Sequence, residues 1–227
     1  MYLQRSIFLN RSFYILIGFT AANMVASINL ANILVDYYYP LQIFALLIPP
    51  YLLFLISHND VFHNPMCIVR FRGWNQIFLQ RTFYLFLETI VSVSIYFLGC
   101  VLLCIVKHQY NDLVLFIMQY VIQYSAFMCV GMLYTGSSFM FNRQGLAAVI
   151  TVSILALDLA SCVLPIHLDL NLFFTPIQSL AGCMIGELSF TYSFSVLLGF
   201  CAKFMILFLV SFYFYTRNKK AEGMSVA

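Results

Sequence analysis

The chain has 227 residues, of which 63% are hydrophobic and 8% charged, with a formal net charge of +3 at neutral pH. A soluble domain carries about 25% charged residues, so 8% does not cover a water-facing surface of this size. An ordinary soluble fold is excluded, and the class is an all-α polytopic membrane protein.

A membrane-crossing helix takes about 20 mainly apolar residues, and six stretches qualify: 12–35, 40–57, 82–106, 113–140, 146–164 and 192–216. Residues 1–11 precede the first as a short basic amphipathic piece, expected to lie along the interface. A cleaved leader is the competing reading of this end, but the apolar run continues beyond the length of a signal-peptide core. Span 1 places Thr20, Asn23 and Ser27 on one helical face. Polar groups at that spacing act first as glue between packed helices and second as pathway lining. Span 2 contains Pro49 and Pro50, which remove backbone donors and predict a kink, with neighbouring helices satisfying the freed groups.

Between spans 2 and 3 lies the stretch "NPMCIVRFRGWNQIFLQR", within a segment 58–81 expected to face the cytosol. Asn64 and Pro65 read as N-cap and first helical residue. Met66, Ile68, Val69 and Phe71 then alternate with Arg70 and Arg72, and Gly73 interrupts the pattern. A second amphipathic piece, 74–80, leads into span 3 with Ile77 and Phe78 on its apolar side. Two readings compete. In one, Arg81 and Trp74 anchor the segment at the headgroups. In the other, the helix 64–73 projects from the membrane and docks on a cytosolic protein.

Span 4 is long enough to tilt. Residues 165–191, between spans 5 and 6, form a mostly apolar link interrupted by Pro176, Gly182 and Gly186. Irregular backbone at membrane depth is tolerated where protein buries it, which predicts a re-entrant outer segment; an interfacial loop on the outer leaflet is the alternative. The tail is 217–227.

Nine of the eleven Lys and Arg residues fall on one side of this layout, and the positive-inside rule then places both termini in the cytoplasm. The ionisable residues within the spans are Glu88, expected near the inner end of span 3, Asp158 in span 5 and Lys203 in span 6. Such groups are costly in lipid and face protein or water. Asp158 and Lys203 each sit roughly 18 Å above the inner end of their spans at 1.5 Å per residue, which predicts an ion pair that fixes helix register. Glu88 is expected to reach the inner surface or to accept a bond from Arg81 or the N-terminal helix.

The chain carries no phosphate-binding G-x-x-x-x-G-K-[ST] run and neither G-x-S-x-G nor H-E-x-x-H. The seven cysteines include no C-x-x-C pair. His58, Asp60 and His63 lack the helical spacing of a zinc pair, and one intramembrane aspartate is too few for a carboxylate dyad. No catalytic residue and no metal or cofactor is assigned to the chain itself.

The order of these parts resembles the membrane subunits of ATP-binding-cassette exporters of the type-2 export class, in the small form found in Gram-positive bacteria. The likeness covers nearly the whole chain: the basic start "MYLQRSIFLNRSFY", six spans, the basic link after span 2 and the long outer link after span 5. It implies that 64–73 is the coupling helix seated in a separate cytosolic ATPase, with Arg70 and Arg72 as polar contacts. It implies ATP and Mg in that partner, a second six-span subunit, and re-entrant helices in the outer link. The function it implies is export of a peptide, drug or lipid-like cargo from a bacterial cell, such as self-protection against an antimicrobial peptide. Two readings stand beside it: a secondary transporter or intramembrane enzyme using Asp158, Glu88 and Lys203, and a scaffold that recruits a partner without transport.

Overall fold

The computed structural model describes residues 11–28, 37–63, 74–108, 113–141, 143–163, 176–177 and 190–221. Among them the fold is all-helical. Helix α1 is Arg11–Ser27 and α2 is the single turn Pro40–Gln42; a π-helical segment, Ile43–Leu47, joins α2 to α3, Ile48–His63. Then follow α4, Trp74–Val106; α5, Leu113–Phe141; α6, Gln144–Val163; and α7, Phe190–Ala221.

Five stretches are long and apolar enough to cross a membrane: Pro40–His58, Gln76–Val106, Phe116–Phe141, Gln144–Cys162 and Phe194–Asn218. The first expected span is seen as the 17 residues of α1, about 26 Å at 1.5 Å per residue. That is short of a hydrocarbon core of about 30 Å, and residues 29–36 lie outside the described residues. Among the described residues five such helices are therefore shown, and the first expected span is seen only in part.

The burial pattern is that of a protein dissolved in lipid. In α1 the buried residues are Ser12, Leu16, Thr20, Asn23 and Ser27, while Tyr14, Ile15, Ile17 and Val25 point outward. On α7, Leu198, Met205, Ile206, Leu209 and Val210 are exposed. Contiguous apolar surface of this kind is not left to water in a soluble monomer.

Helix α5 is the hub. It packs on α7, α6, α4 and α3, and α1 closes the other side against α3 and α4. Its contact with α7 runs through Gly136, whose missing side chain lets Ser211 approach. At one end of that seam Phe78 of α4 is fully buried among Phe139, Phe208, Phe212 and Tyr215, with ring centroids 5.3–5.7 Å away. The Asn218 side chain closes the seam by donating to the Phe139 carbonyl.

One expectation changes and one gains detail. Pro49 and Pro50 lie inside a helical stretch that is continuous over 40–63, directly after the π segment, and the wider π turn accommodates the absence of the backbone donors that proline lacks. Tyr96 of α4 donates its hydroxyl to the Leu47 carbonyl at 2.7 Å, so a neighbouring helix does serve this backbone. The third span was expected to start at Thr82 after a separate interfacial piece. Instead α4 is continuous from Trp74, with Ile77 and Phe78 already buried in the bundle. Aromatic packing on α5 and α7 outweighs the polar residues of 74–80.

Candidate functional site

Helix α4 carries the charges of the interior. Arg81 and Glu88 are seven residues apart, two helical turns, and so share a face. Both are buried, Arg81 completely. The guanidinium Nη1 donates to Glu88 Oε2 at 2.8 Å. From α3, His58 Nδ1 stands 3.9 Å from Glu88 Oε1 and donates to the Phe54 carbonyl at 2.8 Å. That bond puts the proton on Nδ1, and the buried Nε2 has no hydrogen-bond partner among the described residues. A carboxylate between a guanidinium and an imidazole thus ties the far end of α3 to the near half of α4. Ser57, next to His58, continues the link to α1 through Ser12 at 2.7 Å.

This corrects two placements. Arg81 is no headgroup anchor: it is the largest fully buried side chain among the described residues. Glu88, expected near one end of its span, lies further along because the helix starts at Trp74. It is 14 residues from Trp74, about 21 Å along a helix about 50 Å long. The expected bond from Arg81 is present.

Further along, the interior stays polar. Tyr51 of α3 shares a 2.8 Å bond with Thr89 and donates to the Phe127 carbonyl at 3.0 Å. Gly131 makes room for the Tyr51 hydroxyl. Beyond Tyr96, Tyr37 donates to the Tyr96 carbonyl at 2.9 Å, and Tyr38 donates to Gln123 Oε1 at 2.9 Å. Both lie just before the span that begins at Pro40, and burial pushes both phenols well above their ordinary range, keeping them as O–H donors. Asn23 donates to the Tyr37 carbonyl at 3.3 Å, and Ser27 to Gln42 Oε1 at 3.3 Å. The polar face of α1 therefore fastens it to the chain around 37–42.

Asp158 and Lys203 do not form the expected pair. The ion pairs between described residues both involve Glu88. The buried Asp158 carboxylate accepts the Ile177 N–H at 2.6 Å. Lys203, half-buried, has its ammonium 5.8 Å from the centre of the Phe200 ring. Matching depth was not enough, because α6 and α7 each pack chiefly on α5. Ile177 is buried with Pro176, so the link between α6 and α7 reaches Asp158, which sits five residues from the end of α6, about 7.5 Å.

The segment carrying Asn64, Pro65, Met66, Ile68, Val69, Arg70, Phe71, Arg72 and Gly73 lies outside the described residues, as does most of 165–191. The sequence reading weighed His58 only as a metal ligand, and it missed Tyr51, Tyr96, Tyr38, Gln119 and Gln123. The glutamines had a usable signal: two amides four residues apart in an apolar span must share a face. No protein-family model matches this chain, and it has no significant similarity to a curated protein or a solved structure.

Proposed function

We propose that the chain is the membrane-spanning subunit of an ATP-driven exporter whose motor is a separate cytosolic ATPase. In this reading residues 64–73 dock on the motor, two six-span subunits enclose the pathway, and both termini face the cytoplasm of a bacterial cell. The cargo is a peptide, drug or lipid-like molecule. The observation that carries the reading is the buried Arg81–Glu88–His58 cluster. It clamps α3 to α4, the two helices that flank 64–73. A push on that link would therefore move both helices as one body, which is what transmission from a motor requires.

The test is co-purification of the full chain with its ATPase and assay of cargo-stimulated hydrolysis. Reversing Arg70 and Arg72 to Glu should release the ATPase or cut stimulated hydrolysis at least tenfold, with the permease still folded. An unchanged complex with both reversals removes the docking claim.

One observation favours a second reading, a secondary transporter driven by ions. His58 Nδ1 stands 3.9 Å from Glu88 Oε1, and its buried Nε2 has no partner among the described residues, so an imidazole and a carboxyl group meet inside the bundle. Cargo uptake by vesicles that contain this chain alone, lost in Glu88→Gln, would decide for it.

A further inference from the structure

On α5, Gln119 and Gln123 are both buried and one turn apart. Residues at that spacing have neighbouring side chains. Gln123 is oriented by Tyr38, which donates to its Oε1, and its Nε2 has no partner among the described residues. Gln119 has none there for either its Nε2 or its Oε1. These three atoms amount to four N–H donors and a carbonyl acceptor shut away from solvent. A buried amide left unsatisfied loses its hydration without replacement, and in a membrane no nearby water restores it. Glue between helices does not explain Gln119, because a glue residue is bonded to a neighbour through at least one atom, as Gln123, Asn23 and Ser27 are.

We propose that Gln119 and Gln123, held by Tyr38, form a binding site for an uncharged primary carboxamide, such as the side chain of an Asn or Gln in a peptide or an amidated peptide end. A side-chain carboxamide presents a donor and an acceptor side by side. The group that satisfies both at once is another carboxamide, whose carbonyl accepts from Gln119 Nε2 while its N–H donates to Gln119 Oε1. The Gln123 N–H donors then take the second lone pair of the ligand carbonyl. A carboxylate has no donor for Oε1, and an ester offers only acceptors. As a cargo site for peptides this rests on the exporter reading; as a binding site it does not.

The test uses the full chain in phosphatidylcholine nanodiscs with glutamine side-chain amides labelled with nitrogen-15. The probes are hexanamide and methyl pentanoate, an amide and an ester of similar size. The variants Gln119→Leu and Gln123→Met assign the two signals by their loss. The expected result is a saturable shift of both signals with hexanamide and none with the ester. Binding should weaken at least tenfold in Gln119→Leu, which should unfold at the same or a higher temperature because its orphaned amide is gone. Equal shifts with both probes, no shift with either, or a persistent exchange contact with water that hexanamide does not displace would overturn the site. The wild-type comparison of amide with ester stands even if a variant misfolds. Amide binding in a chain that releases no ATPase on Arg70 and Arg72 reversal leaves the site intact and sinks the exporter; ATPase docking without amide binding does the opposite.

Discussion

Arg81 and Glu88 show how the interior tolerates charge. Each ion alone loses several kcal/mol on leaving water, and the 2.8 Å contact offsets that loss only while both remain. Glu88→Leu should therefore destabilise the chain by about 3–5 kcal/mol, since it leaves the guanidinium buried without its carboxylate. The double change Arg81→Met with Glu88→Leu should recover most of that loss, because apolar residues of similar volume often replace a buried pair at little cost. Thermal unfolding in detergent checks both; a double variant as unstable as the single one means the two groups are not coupled. The seven-residue spacing was legible in the sequence. The burial of Arg81 was not, because a long side chain at a helix end serves headgroup and core equally well. Only the packing of Phe78 on α5 and α7 draws that turn inward.

Among the elements, α5 explains most of what pairwise sequence reasoning could not reach. Apolar runs showed where helices begin and end to within a few residues, except at α4, where the polar stretch 74–80 hid eight residues of helix. They did not show that α6 and α7, neighbours in the chain, would both turn to α5, and so the Asp158–Lys203 pair was drawn from depth alone. Polar residues every three or four positions in α1 did mark its buried face, because that spacing is local. Two predictions follow from these seams. At Gly136 any side chain meets Ser211 across the α5–α7 contact, so Gly136→Val should cost about 1–3 kcal/mol through overpacking, while the same change at Gly145, which has open space around it, should not show that penalty. At the link between α6 and α7, Asp158→Leu leaves the buried Ile177 N–H unsatisfied, a loss of about 1–3 kcal/mol, whereas Asp158→Asn keeps an acceptor and should be milder. Ile177→Pro deletes the donor. If the 2.6 Å bond is what holds the link, unfolding measurements on the pair will give less than the sum of the single effects; strict additivity would mean that Asp158 and Ile177 act separately.

For the molecule as a whole, composition alone established the membrane class, because 8% charged residues leaves no other solvent for the exposed faces of α4 and α7. The polar path from Arg81 to Gln123 was less legible, since each hydroxyl or amide finds its partner on a different helix. The orientation of the bundle decides whether the proposed motor could reach the link 64–73. Helix α4 runs from the link 64–73 to Lys107, α5 returns, and the exposed Arg143 joins α5 to α6. If α4 and α5 each cross once, Arg143 lies on the same side as 64–73, and Lys107 on the opposite side. Basic residues concentrate at the first of these sides, so it should be cytoplasmic. In a chain with all seven cysteines replaced, Lys107→Cys should react with a membrane-impermeant maleimide on intact cells. Arg143→Cys should react only after the cells are opened. The reverse pattern would put 64–73 outside the cell, away from ATP and from any cytosolic ATPase, and the coupling proposal would fall whatever the buried cluster does.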